Sequence, residues 1–310
     1  MRRRHLLFAA LSALILFITL LHTPRDFASP TLSTVAKGAS FSEIAQQLEV
    51  ENVITSPLLL RVLVTLFGGT TSVQAGDYLF EKQQGTLRVA WRLTHGAFGL
   101  ASVRVVLPEG LTVVQMGETV REALPHFDTE KFERLASGRE GYLFPDTYFF
   151  MVNATPETVV DVLTMRFDAV LEELSGELAS SSRSIPDVVT MASILEEEAK
   201  TPEDKRIVAG ILWKRIDIGM ALQVDATFKY TLGKASHELT ADDLATDTPY
   251  NTYTRTGLPP TPISNPGLES LRAALDPTAT EYFYYLTGND GRMYYAEDFE
   301  GHKQNKAKHL

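Results

Sequence analysis

The sequence predicts an α+β fold, with an N-terminal transmembrane helix, then small modules of short strands and helices, then a mostly helical α+β domain. Three observations predict it. An uncharged apolar run fills residues 6–21, similar helix starts alternate with short strands within residues 38–150, and apolar residues recur every three or four positions after residue 155. With 310 residues, 44% of them hydrophobic, the chain can bury a sizeable core, and its length favours two folded units.

The composition narrows the classes of function. Asp and Glu (39) outnumber Lys and Arg (29), which gives a formal net charge of -10, and no basic run occurs after residues 2–4. Such a chain repels polyphosphate, which argues against nucleic acid as a partner. The absence of cysteine excludes disulfides, thiolate zinc sites, a cysteine nucleophile and a lipidated cysteine anchor.

The first residues predict a membrane anchor. Three arginines at positions 2 to 4 precede the apolar run, and a helix over residues 5–23 would span roughly 28 Å, close to the hydrocarbon thickness. A cleaved signal peptide shares these features, but no small-x-small cleavage site precedes PRDF at 24–27, which favours an uncleaved anchor. By the positive-inside rule, everything after the anchor is extracytoplasmic. In a bacterium, the chain is then a single-pass protein of the cytoplasmic (inner) membrane that faces the cell wall, in the periplasm where an outer membrane exists.

A weak repeat follows a Pro-, Ser- and Thr-rich linker at residues 24–37. GASFSEIAQQL (38–48) and GLTVVQMGETV (110–120) share a Gly, a hydroxyl residue that can cap a helix, and apolar residues four apart; GTLRVAWRL (85–93) is a degenerate third copy. Alternating strands are predicted between them, at 75–82 and 102–110. Short elements of this size resemble LysM-type modules, which bind glycan chains. Residues 38–150 are therefore expected either to bind glycan or to be purely structural.

A strand and a long helix lead into the last domain. EGYLFPDTYFF (140–150) predicts a buried edge strand broken at Pro145-Asp146. From Thr155 to Leu178, apolar residues at steps of three and four predict one long amphipathic helix. The polar hinge at 179–187 leads to the next helix.

That next helix ends in three glutamates, TMASILEEEAKTP (190–202). Ser184 is the predicted N-cap and Pro186 lies in the first turn, whereas Thr201 caps the following helix with Pro202 at its first position. The glutamate helix is therefore expected to end near Lys200.

Helix geometry separates the three carboxylates. If Val188 marks the centre of a buried stripe, Glu197 lies roughly 180° away and should be solvated, while Glu196 and Glu198 flank the stripe at roughly 80° on either side. Glu198 falls in the last turn, where the helix dipole and apolar neighbours raise the pKa of a carboxyl group. A carboxylic acid that is protonated near neutral pH can donate a proton to a glycosidic oxygen. On spacing alone, an ordinary solvated helix end remains the alternative.

Longer motifs carry a family resemblance. ASILEEEAK (192–200), RIDIGMALQVDATFKYTLG (215–233), TPYNTYTRTGLPPTPISNPG (248–267) and FEGHKQNK (299–306) together resemble the MltG/YceG-like endolytic murein transglycosylases. The resemblance covers essentially the whole chain. It implies cleavage of peptidoglycan between N-acetylmuramic acid and N-acetylglucosamine with formation of a 1,6-anhydro end, by one glutamate that acts as acid and then base. It implies no metal and no organic cofactor.

The resemblance also implies site residues. The two motif glutamates of the family match Glu196 and Glu198, and the family has a different residue at Glu197 and Thr at the position of Ala199. The resemblance favours Glu198 as the catalytic acid/base and Glu196 as the second carboxylate that shapes the site; the reverse assignment is the alternative. Substrate contacts are expected from five further matches, for each of which a structural role is the alternative. These are Gln223, Asp225, Tyr250, Asn251 and Tyr253.

The predicted organisation is cytoplasmic residues 1–4, anchor 5–23, linker 24–37, LysM-like region 38–150 and catalytic domain 151–310. The expected partners are peptidoglycan strands, the membrane and cell-wall synthases. The competing hypothesis is a non-catalytic, membrane-anchored glycan-binding scaffold of cell-wall synthesis.

Overall fold

The computed structural model describes residues 23–24 and 26–310. They form two compact units, the first ending at Ala101 and the second comprising Ser102–Leu310. The prediction of a mixed, mostly helical α+β chain is confirmed. The predicted anchor lies, apart from Thr23, outside the described residues. Within the described part of the chain, no helix has the length and apolarity needed to cross a membrane.

The first unit is built on a two-stranded antiparallel sheet. β1 (Thr31–Val35) pairs with β2 (Gly76–Phe80), and α1 (Phe41–Val50) and α2 (Pro57–Leu66) lie between them in sequence. Ser40 caps α1 as predicted, in a capping box with Glu43. β1 lies inside the stretch assigned to the linker, so the folded part begins earlier than predicted. A third helix, α3 (Thr86–His95), follows β2; it begins at Gly85 without a side-chain cap.

The second unit begins with the same order of elements. β3 (Ser102–Val106) pairs with β4 (Thr147–Met151), and α4 (Val113–Ala123) and α5 (Thr129–Leu135) lie between them. Thr112 caps α4 in a capping box with Gln115. The two repeat segments of the sequence are thus the first helix of two strand-helix-helix-strand segments. Of the strand predicted for residues 140–150, only the part after Pro145-Asp146 forms a strand, β4.

The remainder of the second unit is mostly helical. Its elements are α6 (Pro156–Glu173), α7 (Ser175–Ser180), α8 (Ile185–Glu198), α9 (Pro202–Asp217), α10 (Ala226–Leu232), α11 (Ala241–Ala245), α12 (Leu268–Leu275), β5 (Tyr284–Thr287), β6 (Met293–Ala296) and α13 (Phe299–His309). β5 and β6 form an antiparallel hairpin. The single helix predicted for residues 155–178 is two helices in the structure, because α6 ends at Glu173 and the short α7 covers the rest.

Helix α8 lies at the centre of this unit. It packs against α9 and α12, and every residue from Val188 to Leu195 is buried. The expectation of one buried stripe is therefore wrong, because neighbours cover the helix on all sides. Its last turn, which carries the three glutamates, is the part that emerges from the core.

Candidate active site

Local capping sets the position of the three glutamates. Ser184 caps α8 through the Asp187 N–H, and α8 ends at Glu198, with Ala199 in an extended conformation. Thr201 then caps α9, whose first residue is Pro202. These predicted boundaries are confirmed to within two residues. The carboxylates therefore lie at the negative end of the α8 dipole.

Glu196 is held by groups from two other helices. Its Oε1 accepts from the Lys205 ammonium at 2.8 Å, and its Oε2 accepts from the Ser270 hydroxyl at 2.7 Å and the Gly267 N–H at 3.0 Å. The side chain is only 9% exposed, and Lys205 is buried. Glu196 thereby ties the end of α8 to α9 and to the start of α12.

Glu197 is not solvated, which corrects the prediction from helix geometry. Its Oε2 pairs with the Lys229 ammonium of α10 at 2.6 Å, and its side chain is 17% exposed. It lines a cavity of about 170 Å³ together with Gly110, Thr112 and Tyr230. Residues distant in the sequence cover the face of α8 that helix geometry predicted to be exposed to solvent.

Glu198 has a different environment. Its Oε2 accepts a hydrogen bond from the Tyr285 hydroxyl at 3.1 Å, and the residue is partly exposed. Burial raises the pKa of the Glu198 carboxyl to about 7, and the negative charge of Asp225 acts in the same direction, whereas the Tyr285 hydroxyl and the Ala226 N–H oppose the rise. This side chain can therefore hold a proton near neutral pH.

Asp225 and Tyr253 lie beside Glu198 and are bonded to each other. The Tyr253 hydroxyl donates to Asp225 Oδ1 at 2.6 Å. Burial and the Asp225 carboxylate hold the pKa of Tyr253 far above its usual value, so the phenol keeps its proton and remains a donor. Two of the five predicted substrate contacts thus lie within electrostatic reach of the proposed acid.

A buried arginine adds a fixed positive charge. Arg215, in the last turn of α9, donates from Nε to the Phe283 carbonyl at 2.8 Å and from Nη1 to the Leu222 carbonyl. Burial lowers the pKa of its guanidinium, while Tyr285 and Glu198 act to raise it. Among the described residues it forms no ion pair with a carboxylate. Its contacts hold the chain just before β5, the strand that carries Tyr285.

The other predicted contacts have different surroundings. Asn251 is buried, and its amide bonds four backbone groups of its own loop, which leaves it no free donor or acceptor for a sugar. The Tyr250 hydroxyl bonds Thr261 at 2.7 Å. Gln223 is exposed, with a positive φ of 52°, and its N–H donates to the Thr252 carbonyl.

A second carboxyl group with a raised pKa was missed by the sequence reasoning. Glu140 accepts from the Val113 N–H at 3.1 Å and from the Asn265 amide at 2.8 Å, and burial raises its pKa to about 7. Asn265 in turn accepts from the Gly141 and Leu143 N–H groups. Glu140 is the first residue of the EGYLFPDTYFF motif, and its place in that motif is the sequence signal that could have identified it.

Tyr285 and Arg215 were also missed. Arg215 opens one of the family motifs, but no local pattern marks it as part of a site. Tyr285 lies 87 positions from the carboxyl group that it contacts, in a strand with no distinguishing motif. Within residues 23–24 and 26–310, no group of three or more His, Asp or Glu side chains is arranged to hold a metal ion.

Comparison with known proteins finds relatives along nearly the whole chain. The YceG-like family matches residues 33–308. An endolytic murein transglycosylase of Bacillus subtilis is 30% identical over 303 residues, which cover 89% of this chain and 84% of the relative. One from Streptococcus pneumoniae is 26% identical, and the match covers 89% of this chain but only 58% of that protein. A crystal structure of a YceG-like protein from Listeria monocytogenes, 27% identical, matches with a TM-score of 0.60 over 89% of this chain and 99% of that one.

Proposed function

Since this chain belongs to the YceG-like family, we propose that it is a membrane-anchored endolytic murein transglycosylase. Its substrate is the glycan backbone of peptidoglycan, which it cleaves between N-acetylmuramic acid and N-acetylglucosamine. The product carries a 1,6-anhydro-N-acetylmuramic acid end. The family match and the names of the curated relatives support the class of reaction, and the geometry around Glu198 supports the choice of acid.

The observation that carries the assignment is the difference between three adjacent glutamates. Glu196 and Glu197 are each paired with a lysine, whereas Glu198 bonds a neutral phenol and has a pKa near 7. The lysine pairs engage oxygens of Glu196 and Glu197 in contacts between helices. Glu198 is the member of the run that can begin the reaction as a carboxylic acid.

One carboxyl group suffices when the nucleophile is part of the substrate. Glu198 donates its proton to the glycosidic oxygen as the bond between that oxygen and C1 of the muramic acid breaks. The 6-hydroxyl oxygen of the same sugar then bonds to C1, and its proton passes to the Glu198 carboxylate. The acid is regenerated and no water is consumed, because an intramolecular hydroxyl replaces the water and the second carboxylate of ordinary glycosidases.

The neighbours of Glu198 supply charge and orientation. Positive charge develops at C1 in the transition state, and the Asp225 carboxylate is the nearby negative group that can stabilise it. Tyr253 fixes one oxygen of Asp225, and Tyr285 fixes one oxygen of Glu198. Asp225 is proposed to act on the substrate, whereas Tyr285 is proposed to position the acid.

The membrane anchor over residues 5–23 is also part of the proposal. It is supported by the uncharged run 6–21 after three arginines. It places the proposed active site on the cell-wall side of the cytoplasmic membrane, where nascent glycan strands and the synthases that make them are found. Glycan binding by the strand-helix-helix-strand segments belongs to the same proposal.

The test compares neighbouring glutamates in the full-length protein, purified in detergent and incubated with uncrosslinked peptidoglycan strands. Mass spectrometry should detect anhydro ends from the wild type. Glu198→Gln should lower the rate at least 100-fold, as expected for loss of a general acid, whereas the matched control Glu197→Gln should keep most of it. Thermal melts verify that each variant is folded.

Two outcomes would contradict the proposal. If Glu196→Gln abolishes cleavage and Glu198→Gln retains it, the acid is assigned to the wrong residue. If the folded wild type binds strands but releases no anhydro ends, the chain is a glycan-binding scaffold.

A further inference from the structure

Helix α2 exposes an apolar stripe in the first unit. Leu58, Val62 and Leu66 recur at intervals of four and so lie on one face of the helix, with Leu58 72% and Leu66 75% exposed. The opposite side of α2 supplies buried leucines and a valine to the core. Only one of the two apolar sides of α2 is buried in the core of its own unit, so the other side remains exposed.

Helix α3, which packs against α2, carries a second exposed stripe. Leu87 and Trp91 are exposed one turn apart, and Trp91, 45% exposed, stacks on His95 with ring centroids 4.9 Å apart. His95 also meets Phe67 edge-on at 6.4 Å, directly after the last residue of α2. We call the five exposed side chains the α2–α3 face. They are Leu58, Val62, Leu66, Leu87 and Trp91.

The charge around this face differs from that of the whole chain. Neither α2 nor α3 contains an acidic residue, and the exposed charged residues on them are Arg61 and Arg88. Between residues 52 and 108, only Asp77 and Glu81 are acidic, in a chain whose net charge is -10. A surface of leucines, one tryptophan and arginines is typical of helices that lie at the interface of an anionic bilayer.

The chain also holds this unit close to a bilayer. The run at residues 6–21 carries no charge, and the predicted anchor ends at residue 23. Phe27 already packs against the core of the first unit. The four residue steps between them span at most about 14 Å, so an anchored chain keeps the first unit against the membrane surface.

We propose that the α2–α3 face contacts the extracytoplasmic leaflet of the membrane, with its apolar side chains in the interfacial region and its arginines at anionic headgroups. The contact rests on the proposed anchor and is independent of the chemistry at Glu198. It fixes the orientation of the first unit on the membrane, which a single anchor point does not do.

The two tryptophans of the chain make a direct test possible. Full-length Trp213→Phe, which retains Trp91 as its sole tryptophan, is reconstituted into vesicles of phosphatidylglycerol and phosphatidylcholine that contain lipids spin-labelled near the headgroup. Trp91 fluorescence should be quenched at least twofold more than that of Trp213 in the reciprocal Trp91→Phe chain, because Trp213 is buried in the second unit. Adding Leu66→Asp should remove more than half of the quenching, and vesicles without phosphatidylglycerol should also weaken it. The control Met165→Asp, at an exposed apolar position of α6, should leave it unchanged.

Several results would overturn the proposal. Equal quenching of Trp91 and Trp213 in chains that remain with the vesicles rules out the contact and leaves the anchor and the enzyme intact. A chain that does not remain with the vesicles rules out the anchor and the contact together, while cleavage in detergent still tests the enzyme. Trp91 that responds to glycan strands, or to chain concentration, and not to lipid identifies the face as a glycan site or a self-association surface instead.

Discussion

Replacing Tyr285 by phenylalanine should extend cleavage to higher pH. The Tyr285 hydroxyl donates to Glu198 and thereby favours the ionised carboxylate, so its removal raises the pKa of Glu198. A hydrogen bond to a charged group contributes about 1.5–3 kcal/mol, and one pKa unit corresponds to about 1.36 kcal/mol. At 3.1 Å this O–H···O bond is slightly longer than the usual range of about 2.5–3.0 Å. We therefore take the lower limit of the energy, which corresponds to a rise of about one pKa unit.

The assay is the pH dependence of kcat/KM for release of anhydro ends, which reports the pKa of the free enzyme's essential acid. In the wild type, activity that needs protonated Glu198 is present below pH about 7 and is lost as the pH rises through that value. In Tyr285→Phe, the midpoint of this alkaline limb should move to about 8. The maximal rate should fall as well, because the carboxyl loses the bond that orients it.

The matched control is Tyr284→Phe. Tyr284 is the preceding residue of β5, and its ring stacks on His302 with centroids 5.4 Å apart. In the described structure the Tyr284 hydroxyl makes no hydrogen bond to Glu198, so the alkaline midpoint should stay at the wild-type value. An unchanged or lowered midpoint in Tyr285→Phe would refute the positioning role of this tyrosine.

Three further predictions concern Asp225, Glu196 and Asn265. Asp225→Asn removes a negative charge that raises the pKa of Glu198, so the alkaline midpoint should move down, opposite to Tyr285→Phe; an upward shift in the same profile contradicts this. Glu196→Ala leaves the buried ammonium of Lys205 without its partner and should lower the free energy of unfolding in urea by about 3–5 kcal/mol, with partial recovery when Lys205→Met is added; a loss below 1 kcal/mol would contradict a buried pair. Asn265→Ala deprives two buried backbone N–H groups of their acceptor and should cost about 2–4 kcal/mol, seen as a lower Tm; an unchanged Tm would contradict this role.

Local signals predicted the framework of the site. The caps at Ser184 and Thr201 mark where α8 and α9 begin, because a capping hydroxyl and a proline in the first turn act locally, and the start of α9 limits where α8 can end. The same local logic identified the first helices of both strand-helix-helix-strand segments. The end of a helix is a property of a few neighbouring residues, which the sequence shows directly.

The environment of each carboxylate was not predictable in this way. The assumption of a single buried stripe left Glu197 in solvent, yet Lys229 of α10 and residues 110–112 cover it. The partner of Glu198 comes from β5, and that of Glu196 from α9 and α12. Burial and pairing depend on contacts between distant segments, whereas periodicity describes one helix in isolation. Asn251 is a second example. Its place in a family motif predicted a contact with a sugar, but its amide group bonds backbone groups of its own loop.

The pairing of its neighbours bears on how Glu198 acquires its proton. Three adjacent carboxylates could raise one another's pKa values by repulsion, and the acid would then depend on the exact run of glutamates. Here Lys205 and Lys229 offset the charges of Glu196 and Glu197, and the factors that raise the pKa of Glu198 are burial first and then Asp225, with Glu197 contributing less. The raised pKa of Glu198 is therefore expected to depend on burial and on Asp225 more than on the residue at position 197. That is consistent with a family that has a different residue between its two motif glutamates.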